Sequence, residues 1–379
     1  MELIRKIWNK ITLPDYEPLI EVRIFKDALL HNLHEFQNKY PNVKFAPVLK
    51  SNAYGHGLVQ VAKILDNQAI AFFMVDSFYE ALVLRRAGIA SPILILGYVR
   101  QEQIVNNKLK HVSFGIIDFQ QLKNIITALK TPQNFHLKVD TGMHRQGILM
   151  ADVETAIQLI RQNPNFILEG VCTHFADADS GDKAFTESQI EKWNKIAQTF
   201  KREFPSIKYF HASNTAGSYF LPKIQANVAR LGIGLYGFNT SPFSKLDLKP
   251  ALEMKSIISS LKIIGAGEKV GYGIIFQAKQ EIKIATVPVG YNEGVDRRLS
   301  NSGFFKVGGN FCPIVGRVSM NMSSIDVTQA PGVKLEGEVV VMSASKTDKN
   351  SIEQMAKMCG CTVYEILVHI PENLRRVVI

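Results

Sequence analysis

A lysine closes the first apolar segment of the sequence. Residues 43–50 form a short run with few charges, which is typical of a buried strand, and the run ends on Lys50. A barrel of parallel strands carries its active site at the carboxyl ends of its strands, and a partly buried lysine amine is a good nucleophile for carbonyl groups. The turn that follows, Ser51-Asn-Ala-Tyr54-Gly-His-Gly57, combines polar groups with glycines that allow close approach of the backbone. This stretch predicts Schiff-base chemistry at Lys50; the alternative is a surface lysine at a strand end.

Strand-like and helix-like patterns alternate around this lysine from about residue 21 to residue 245. Seven further apolar runs have the length of buried strands: 69–75, 92–96, 111–114, 135–139, 168–174, 207–211 and 228–236. Amphipathic helix patterns such as 118–130 and 153–161 lie between them, and Ser77 with Glu80 has the spacing of a helix capping box. Parallel strands require such crossovers, and eight strands close a (β/α)8 barrel. A doubly wound open sheet is the alternative.

The pattern changes after Pro250. Closely spaced glycines separate short β-branched runs such as 283–289 and 338–342, which predicts a separate all-β domain. A helical stretch from Ile352 to about His369 follows. The predicted class is therefore α/β, with an N-terminal extension at residues 1–20 and a (β/α)8 TIM-like barrel at residues 21–245. A C-terminal β-domain with a terminal helical segment occupies residues 246–379.

The composition of the chain argues against nucleic acid and membranes as partners. The 44 basic and 34 acidic residues give a formal charge of +10, but the basic residues are dispersed and form no nucleic-acid motif. No apolar run reaches the roughly 18 residues that a membrane helix needs. Four cysteines do not form a disulfide framework, which favours a reducing cytoplasm. The acidic stretch 177–182 lacks the calcium-loop pattern, so we expect no metal, no nucleic acid and no membrane.

The stretch from Lys50 to Gly57 resembles the attachment motif for pyridoxal 5'-phosphate (PLP) in the alanine racemase family. Further stretches match that family in order from about Glu21 to Tyr364, so the resemblance covers most of the chain. It implies an amino-acid racemase that interconverts L- and D-alanine, with PLP as cofactor and a head-to-tail homodimer that shares its active sites. It also implies a barrel followed by a β-domain, the architecture that the residue patterns predict independently.

The resemblance assigns cofactor contacts to side chains and backbone groups at several strand ends: Lys50, Tyr54, His174, Asn214, Thr215, Arg230, Gly232, Ile233 and Tyr364. Lys50 is implied to bind PLP covalently and to act as the base on one face of the substrate Cα. Arg230 is implied to face the pyridine nitrogen. Because an arginine is effectively always protonated, that nitrogen stays unprotonated and the ring is a weaker electron sink. This bias disfavours transamination and suits an enzyme that only inverts a stereocentre.

The same resemblance completes the site with four more residues. Arg145 and the backbone N–H of Met320 are implied to bind the substrate carboxylate. Tyr272 of the partner subunit is implied to be the second base, since one side chain cannot easily reach both faces of the Cα. Lys138 aligns with a lysine that many members carbamylate; the alternative is an ordinary lysine at a strand end.

Two departures from the family pattern and two other functions remain to be weighed. Asn321 stands where the family usually has Asp, and Asn292-Glu293 replaces Ala-Asp in a gate motif. These changes put strict alanine specificity in doubt. The alternatives are a PLP-dependent decarboxylase of similar architecture and a non-catalytic PLP-binding protein built on a barrel. Arg230 argues against the decarboxylase, and Tyr272 together with the β-domain argues against the binding protein.

Overall fold

The computed structural model describes residues 17–379, which contacts between Cα atoms divide into two compact units. The first, the barrel unit, comprises residues 24–252, 343–372 and 378–379. The second, the β unit, comprises residues 253–342 and 373–377 and, among the described residues near the N-terminus, 17–23. The predicted extension at residues 1–20 lies mostly outside the described residues.

The strands are numbered along the chain. They are β1 (Glu21–Ile24), β2 (Lys44–Pro47), β3 (Phe73–Val75), β4 (Ile93–Ile95), β5 (Val112–Ile116), β6 (Gln133–Asp140), β7 (Ile148–Leu149), β8 (Phe166–Cys172), β9 (Tyr209–His211), β10 (Val228–Leu231), β11 (Leu252–Ile257), β12 (Ser260–Ile264), β13 (Lys269–Val270), β14 (Phe276–Gln277), β15 (Ile282–Val287), β16 (Phe304–Val307), β17 (Asn310–Pro313), β18 (Ser323–Asp326), β19 (Glu338–Met342) and β20 (Arg375–Val378).

The right-handed helices are numbered in the same way. They are α1 (Lys26–Lys39), α2 (Leu58–Leu65), α3 (Phe78–Arg86), α4 (Gln101–Val105), α5 (Phe119–Ala128), α6 (Val153–Arg161), α7 (Ala184–Glu203), α8 (Ile352–Cys359) and α9 (Val363–Val368). Short 3₁₀ segments occur at Met150–Asp152, Ala216–Lys223, Ile233–Tyr236, Tyr272–Ile274, Tyr291–Glu293 and Arg297–Leu299. Lys50–Tyr54 forms a single turn whose residues after Lys50 are left-handed.

Eight parallel strands form the barrel, in the order β2-β10-β9-β8-β6-β5-β4-β3. Parallel bridges from Phe45 to Ile70 and from Val48 to Met74 bring β2 beside β3 and nearly close the ring. Strands β3, β4 and β5 are buried at every residue, as expected for strands covered on both faces. Every predicted barrel strand is confirmed, and the open-sheet alternative is wrong.

The β unit contains the predicted C-terminal domain. Its largest sheet has the order β17-β16-β19-β11-β1-β20, a second sheet has the order β12-β15-β18, and β13 pairs with β14. In β11 every second residue is buried, the pattern of an antiparallel strand with one face on a core. Strand β1, which we placed with the barrel at residues 21–245, lies in this sheet between β11 and β20. The alternating burial of Val22 and Ile24 explains the correction, since it fits a sheet covered on one face only.

The predicted terminal helical segment consists of helices α8 and α9. Helices α8 and α9 cluster with the barrel unit and not with the β-domain. They are two helices because Gly360 adopts a left-handed conformation at the end of α8, and Thr362 then caps α9. The carbonyl of Leu367 lies where a side chain on Gly55 would project, so glycine at position 55 allows α9 to approach the turn after Lys50.

None of the helices within residues 17–379 is both long and apolar enough to cross a membrane.

Candidate active site

Residues at the carboxyl ends of the barrel strands surround a cavity of about 460 Å³. It is lined by every predicted site residue of the barrel unit: Lys50, Tyr54, Lys138, Arg145, His174, Asn214, Thr215, Arg230, Gly232, Ile233 and Tyr364. Tyr272 and Met320 lie in the β unit. The cavity occupies the position where a barrel of this kind places its active site.

The backbone after Lys50 turns in the left-handed sense. Ser51, Asn52, Ala53 and Tyr54 have φ angles of 55°, 55°, 51° and 52°. Each such residue costs roughly 1–2 kcal/mol relative to the right-handed form, so contacts with the rest of the barrel must stabilise the turn. The buried Tyr236 hydroxyl contributes by donating to the Val48 carbonyl at 2.8 Å, two residues before Lys50.

Arg230 is buried, with 3% of its surface exposed, and its two terminal nitrogens donate hydrogen bonds inside the barrel. It donates to the backbone carbonyls of Thr173, His211 and Ala212 at 2.8–2.9 Å. It also donates to the Nδ1 atoms of His174 and His211, each at 2.9 Å. None of these partners is a carboxylate. Burial, followed by the charge of Arg230, lowers the pKa of both histidines well below 6.5, so each stays neutral.

A chain of hydrogen bonds leads from Arg230 into the barrel interior. Because arginine only donates, the Nδ1 atom of His211 is an acceptor and its proton lies on Nε2. That Nε2 is 2.8 Å from the Nδ1 of His136, to which it donates. The proton of His136 therefore lies on its own Nε2, 3.9 Å from the carboxylate of Glu169. Burial, then the charge of Arg230, lowers the pKa of His136 from 6.5 to about 3.

Two local features make room for this chain. The pairing of β6 with β8 shifts register between Phe135 and His136, so that Phe135 is opposite Leu168 and His136 is opposite Gly170. Such an irregularity re-aims a side chain, here that of Glu169, which reaches the Ser113 hydroxyl at 2.6 Å. A Cβ atom on Gly170 would lie 2.5 Å from Nδ1 of His136. The glycine is therefore needed where the imidazole packs.

Lys138 and Arg145 line one wall of the cavity. Burial is the main cause that lowers the pKa of Lys138 from 10.5 to about 8, and its Nζ lies 3.4 Å from the Gln146 side chain. The loop before Arg145 is held by Asp140, whose Oδ1 accepts the backbone N–H groups of residues 142–144 at 2.8–3.2 Å. The wall thus combines an amine whose pKa is lowered to about 8 with a guanidinium on an anchored loop.

A second group of residues that line the cavity presents hydroxyl and backbone donors. Tyr54 and Tyr364 lie with ring centroids 5.9 Å apart, and burial raises the pKa of the Tyr364 hydroxyl to about 12, so it remains a donor. Thr215 accepts the Gly234 N–H at 3.1 Å and retains its own hydrogen to donate. A side chain at Gly232 would place its Cβ 3.2 Å from the Tyr54 hydroxyl. Glycine leaves this concave donor cluster open for an oxyanion such as a phosphate.

Tyr272 and Met320 are exposed in the β unit, at 73% and 56% respectively. Tyr272 stands between Gly271 and Gly273, whose φ angles of 76° and 70° favour glycine. Met320 accepts the Asn292 N–H through its carbonyl at 2.9 Å. The two residues are therefore presented to a surface outside their own unit's core.

The positions that depart from the family pattern contact one another. Glu293 is buried, and its carboxylate accepts from the amides of Asn292 at 2.9 Å and Asn321 at 2.6 Å. It also accepts the Gly290 N–H at 2.8 Å. Asn321 therefore supplies a donor where a second carboxylate would be repelled.

Several functional neighbours were not among our predicted site residues. Arg230 is supported by His211, which in turn contacts His136. Tyr236 supports the strand before Lys50, and Asp140 anchors the loop before Arg145. A histidine inside a predicted buried strand was the available signal for His136. The sequence does not reveal its partner, which lies 75 residues away.

Known proteins match this chain over most of its length. A model of the N-terminal domain of alanine racemase matches residues 24–240, and a model of the C-terminal domain matches residues 251–378. The chain belongs to the alanine racemase family. Among its relatives, the alanine racemase of Syntrophobacter fumaroxidans is 37% identical over 360 residues, which cover 93% of this chain and 95% of that protein. The alanine racemase of Methanococcus maripaludis is 36% identical, with 92% and 96% covered.

Solved structures of alanine racemases have the same architecture. The enzyme of Clostridium difficile 630 superposes with a TM-score of 0.89 at 29% identity, covering 96% of this chain and 97% of that one. The enzyme of Bacillus anthracis, with bound L-Ala-P, gives a TM-score of 0.88 at 30% identity, with 97% and 96% covered. The resemblance drawn from the motif at Lys50 is confirmed.

Proposed function

We propose that this chain interconverts L- and D-alanine with PLP attached to Lys50. The observation that carries the proposal is the cavity in a member of the alanine racemase family. It joins a strand-end lysine, a buried arginine without a carboxylate partner and a concave cluster of hydroxyl and backbone donors. These groups match an aldehyde, a ring nitrogen and a phosphate.

The donor set fits PLP at three points. Tyr54, Thr215 and the backbone at Gly232 would hold the phosphate, with Tyr364 beside them. Arg230 would donate to the ring nitrogen, and its neutral histidine and carbonyl partners leave its positive charge uncompensated. When bound, PLP withdraws electrons from the substrate Cα and so acidifies its C–H bond.

The chain's own groups would then move the proton. The Lys50 amine takes a proton from one face of the Cα or returns it there, and Tyr272 of the partner subunit does the same on the opposite face. Arg145 holds the substrate carboxylate on its anchored loop, and the backbone N–H of Met320 of the partner subunit assists it. Exposure of Tyr272 on a glycine-flanked turn supports this use of a homodimer. A cytoplasmic location remains a prediction from the cysteine content.

We also propose that Lys138 is carbamylated. Its lowered pKa, about 8, leaves a substantial neutral fraction of the amine near neutral pH. A neutral amine adds to carbon dioxide and releases one proton, which converts the cation into an N-linked carboxylate. That carboxylate would stand on the same wall as Arg145 and orient its guanidinium.

Two alternatives are less well supported. A decarboxylase benefits from a protonated ring nitrogen and an acidic partner, whereas the partners of Arg230 are carbonyls and neutral histidines. A non-catalytic PLP-binding protein has no need for an exposed tyrosine in a second unit. The departures at Asn292, Glu293 and Asn321 lead us to test other amino acids beside alanine.

The proposal is tested by locating the cofactor and the product. Borohydride reduction followed by peptide mass spectrometry should find PLP on Lys50; its attachment at another lysine would overturn the assignment. Incubation with each L-amino acid and chiral chromatography should yield the D-form, whereas release of carbon dioxide would select the decarboxylase. Tyr272→Phe should abolish most racemisation while PLP stays bound, and normal activity in that variant would remove the two-base mechanism.

A further inference from the structure

The turn that carries Lys50 needs an external partner for its first N–H groups. A helical turn leaves its first donors without intrahelical acceptors, and a capping side chain usually supplies one. Here the preceding residue is Leu49, which makes no capping hydrogen bond through its side chain. Ser51 to Tyr54 are also all left-handed, a conformation that few residues other than glycine adopt unaided.

Glu80, 29 residues along the chain, supplies the missing acceptor. Its Oε1 accepts the Ser51 N–H at 2.7 Å. Its Oε2 accepts the N–H groups of Asp76 and Ser77 at 2.9 and 3.0 Å. A single carboxylate therefore joins the turn after Lys50, the end of β3 and the start of α3, through charge-assisted bonds that are stronger than neutral ones.

The capping box of α3 accounts for only half of this arrangement. Ser77 accepts the Glu80 N–H at 3.2 Å, and Glu80 returns a bond to the Ser77 N–H, which completes the box through Oε2. The bond from Ser51 uses the other oxygen and adds nothing to α3. Ser77→Ala therefore weakens the capping box while leaving the bond from Ser51 to Glu80 in place.

We propose that Glu80 is a positioning residue for Lys50: it selects the left-handed turn and thereby directs the Lys50 amine into the cavity. This rests on the proposed function in one respect, the assignment of Lys50 as the cofactor lysine. Two further hydrogen bonds of the turn are local. Leu58 N–H donates to the Asn52 side chain at 2.8 Å, and Gly57 N–H donates to the Asn52 carbonyl at 2.9 Å. They shape the turn but do not tie it to the neighbouring strand.

The test compares Glu80→Ala, Glu80→Gln and Glu80→Asp with two controls. Ser77→Ala removes the serine side of the capping box and keeps the Ser51 bond, and Asp118→Ala removes a remote helix cap on Gln121. Hydrogen–deuterium exchange of the peptide spanning residues 50–57 is measured in the cofactor-free and PLP-loaded proteins. The kcat and KM for L-alanine are measured for each variant, and borohydride trapping locates PLP.

We expect Glu80→Ala and Glu80→Asp to speed exchange at residues 51–54 and to lower kcat by roughly 10- to 100-fold, since a misplacement of about 1 Å costs that much. KM should change by less than about threefold, because substrate binding does not use the turn. Glu80→Gln retains one acceptor oxygen, but its amide nitrogen cannot accept an N–H group, so it should give protection of the turn between those of the parent and Glu80→Ala. Both controls should stay within about twofold of the parent.

The inference about Glu80 is overturned if Glu80→Ala and Glu80→Asp match Ser77→Ala in both hydrogen–deuterium exchange and kcat while PLP is still found on Lys50. The proposed function would then stand. PLP trapped on another lysine in the parent protein overturns the proposed function and the inference with it.

Discussion

Replacing Gly170 with alanine tests whether the barrel interior is built around the His136–His211 pair. An alanine Cβ would lie 2.5 Å from Nδ1 and 2.7 Å from Cε1 of the His136 ring. Ordinary contact requires about 3.5 Å, so the ring must move by about 1 Å. Such a shift breaks the 2.8 Å bond to His211. Overpacking and one unsatisfied buried polar group together cost on the order of 2–5 kcal/mol.

Urea unfolding measures this cost, and Gly181→Ala is the matched control. No atom lies within 4 Å of the position that a Cβ would take at Gly181, and its φ is outside the left-handed region. The control should therefore leave the free energy of unfolding within about 0.5 kcal/mol of the parent. Gly170→Ala should also lower kcat, because His211 supports Arg230.

A double-mutant cycle identifies the cause. His136→Ala removes the ring and leaves space for the new methyl group, so in that background Gly170→Ala should cost less than about 0.5 kcal/mol. If Gly170→Ala costs the same in both backgrounds, contact with His136 is not the reason for the glycine, and the reasoning is refuted.

Three further predictions concern ionisable groups. Since burial lowers the pKa of His136 from 6.5 to about 3, the unfolded chain binds the extra proton between these values, and stability falls as pH drops below about 6.5. In His136→Gln, the slope of the unfolding free energy against pH near pH 5 should decrease by up to about 1.4 kcal/mol per pH unit, and equal slopes in urea titrations at pH 5 to 7 would contradict this. Carbon-13 bicarbonate at about pH 8 should give a carbamate signal by nuclear magnetic resonance that Lys138→Arg lacks; its absence from the parent would remove the carbamylation proposal. Asn321→Asp replaces the donor at the 2.6 Å contact with Glu293 by a second carboxylate and should destabilise the protein by about 1–3 kcal/mol in urea unfolding. Asn321→Ala is the control for that variant, and a loss for Asn321→Asp no larger than that for Asn321→Ala would show that repulsion between the carboxylates is not the cause.

Local pattern was enough to predict the barrel. Strands such as β5 are short apolar runs because both of their faces are covered, and helices such as α6 show one apolar stripe. Burial can therefore be predicted from neighbouring residues in the sequence. The position of Lys50 at a strand end follows from the same pattern. The cavity residues of the barrel unit came from a motif resemblance, and the structure gathers them around one cavity.

Local pattern does not predict which elements pair when they are far apart in the sequence. Strand β1 has the alternating burial of a half-buried strand, but its four residues do not predict that it pairs with β11 and β20. The amphipathic stripe of α8 likewise predicts that one face of the helix is buried, but it does not identify the unit against which that face packs. The structure groups α8 with the barrel unit. Neither placement follows from local pattern, since hydrophobic burial has no preference for a partner.

The sequence by itself determined the fold class, the cofactor lysine proposed at position 50 and the family. These depend on residue type and short spacing, which the chain carries locally. Only the tertiary structure decided that Glu80 contacts Ser51, that His136 connects His211 to Glu169, and that Asn321 donates to Glu293. Each of these contacts spans more than 25 residues of chain and depends on the distance and direction between its two polar groups. Folding must bring those groups together before the contact exists.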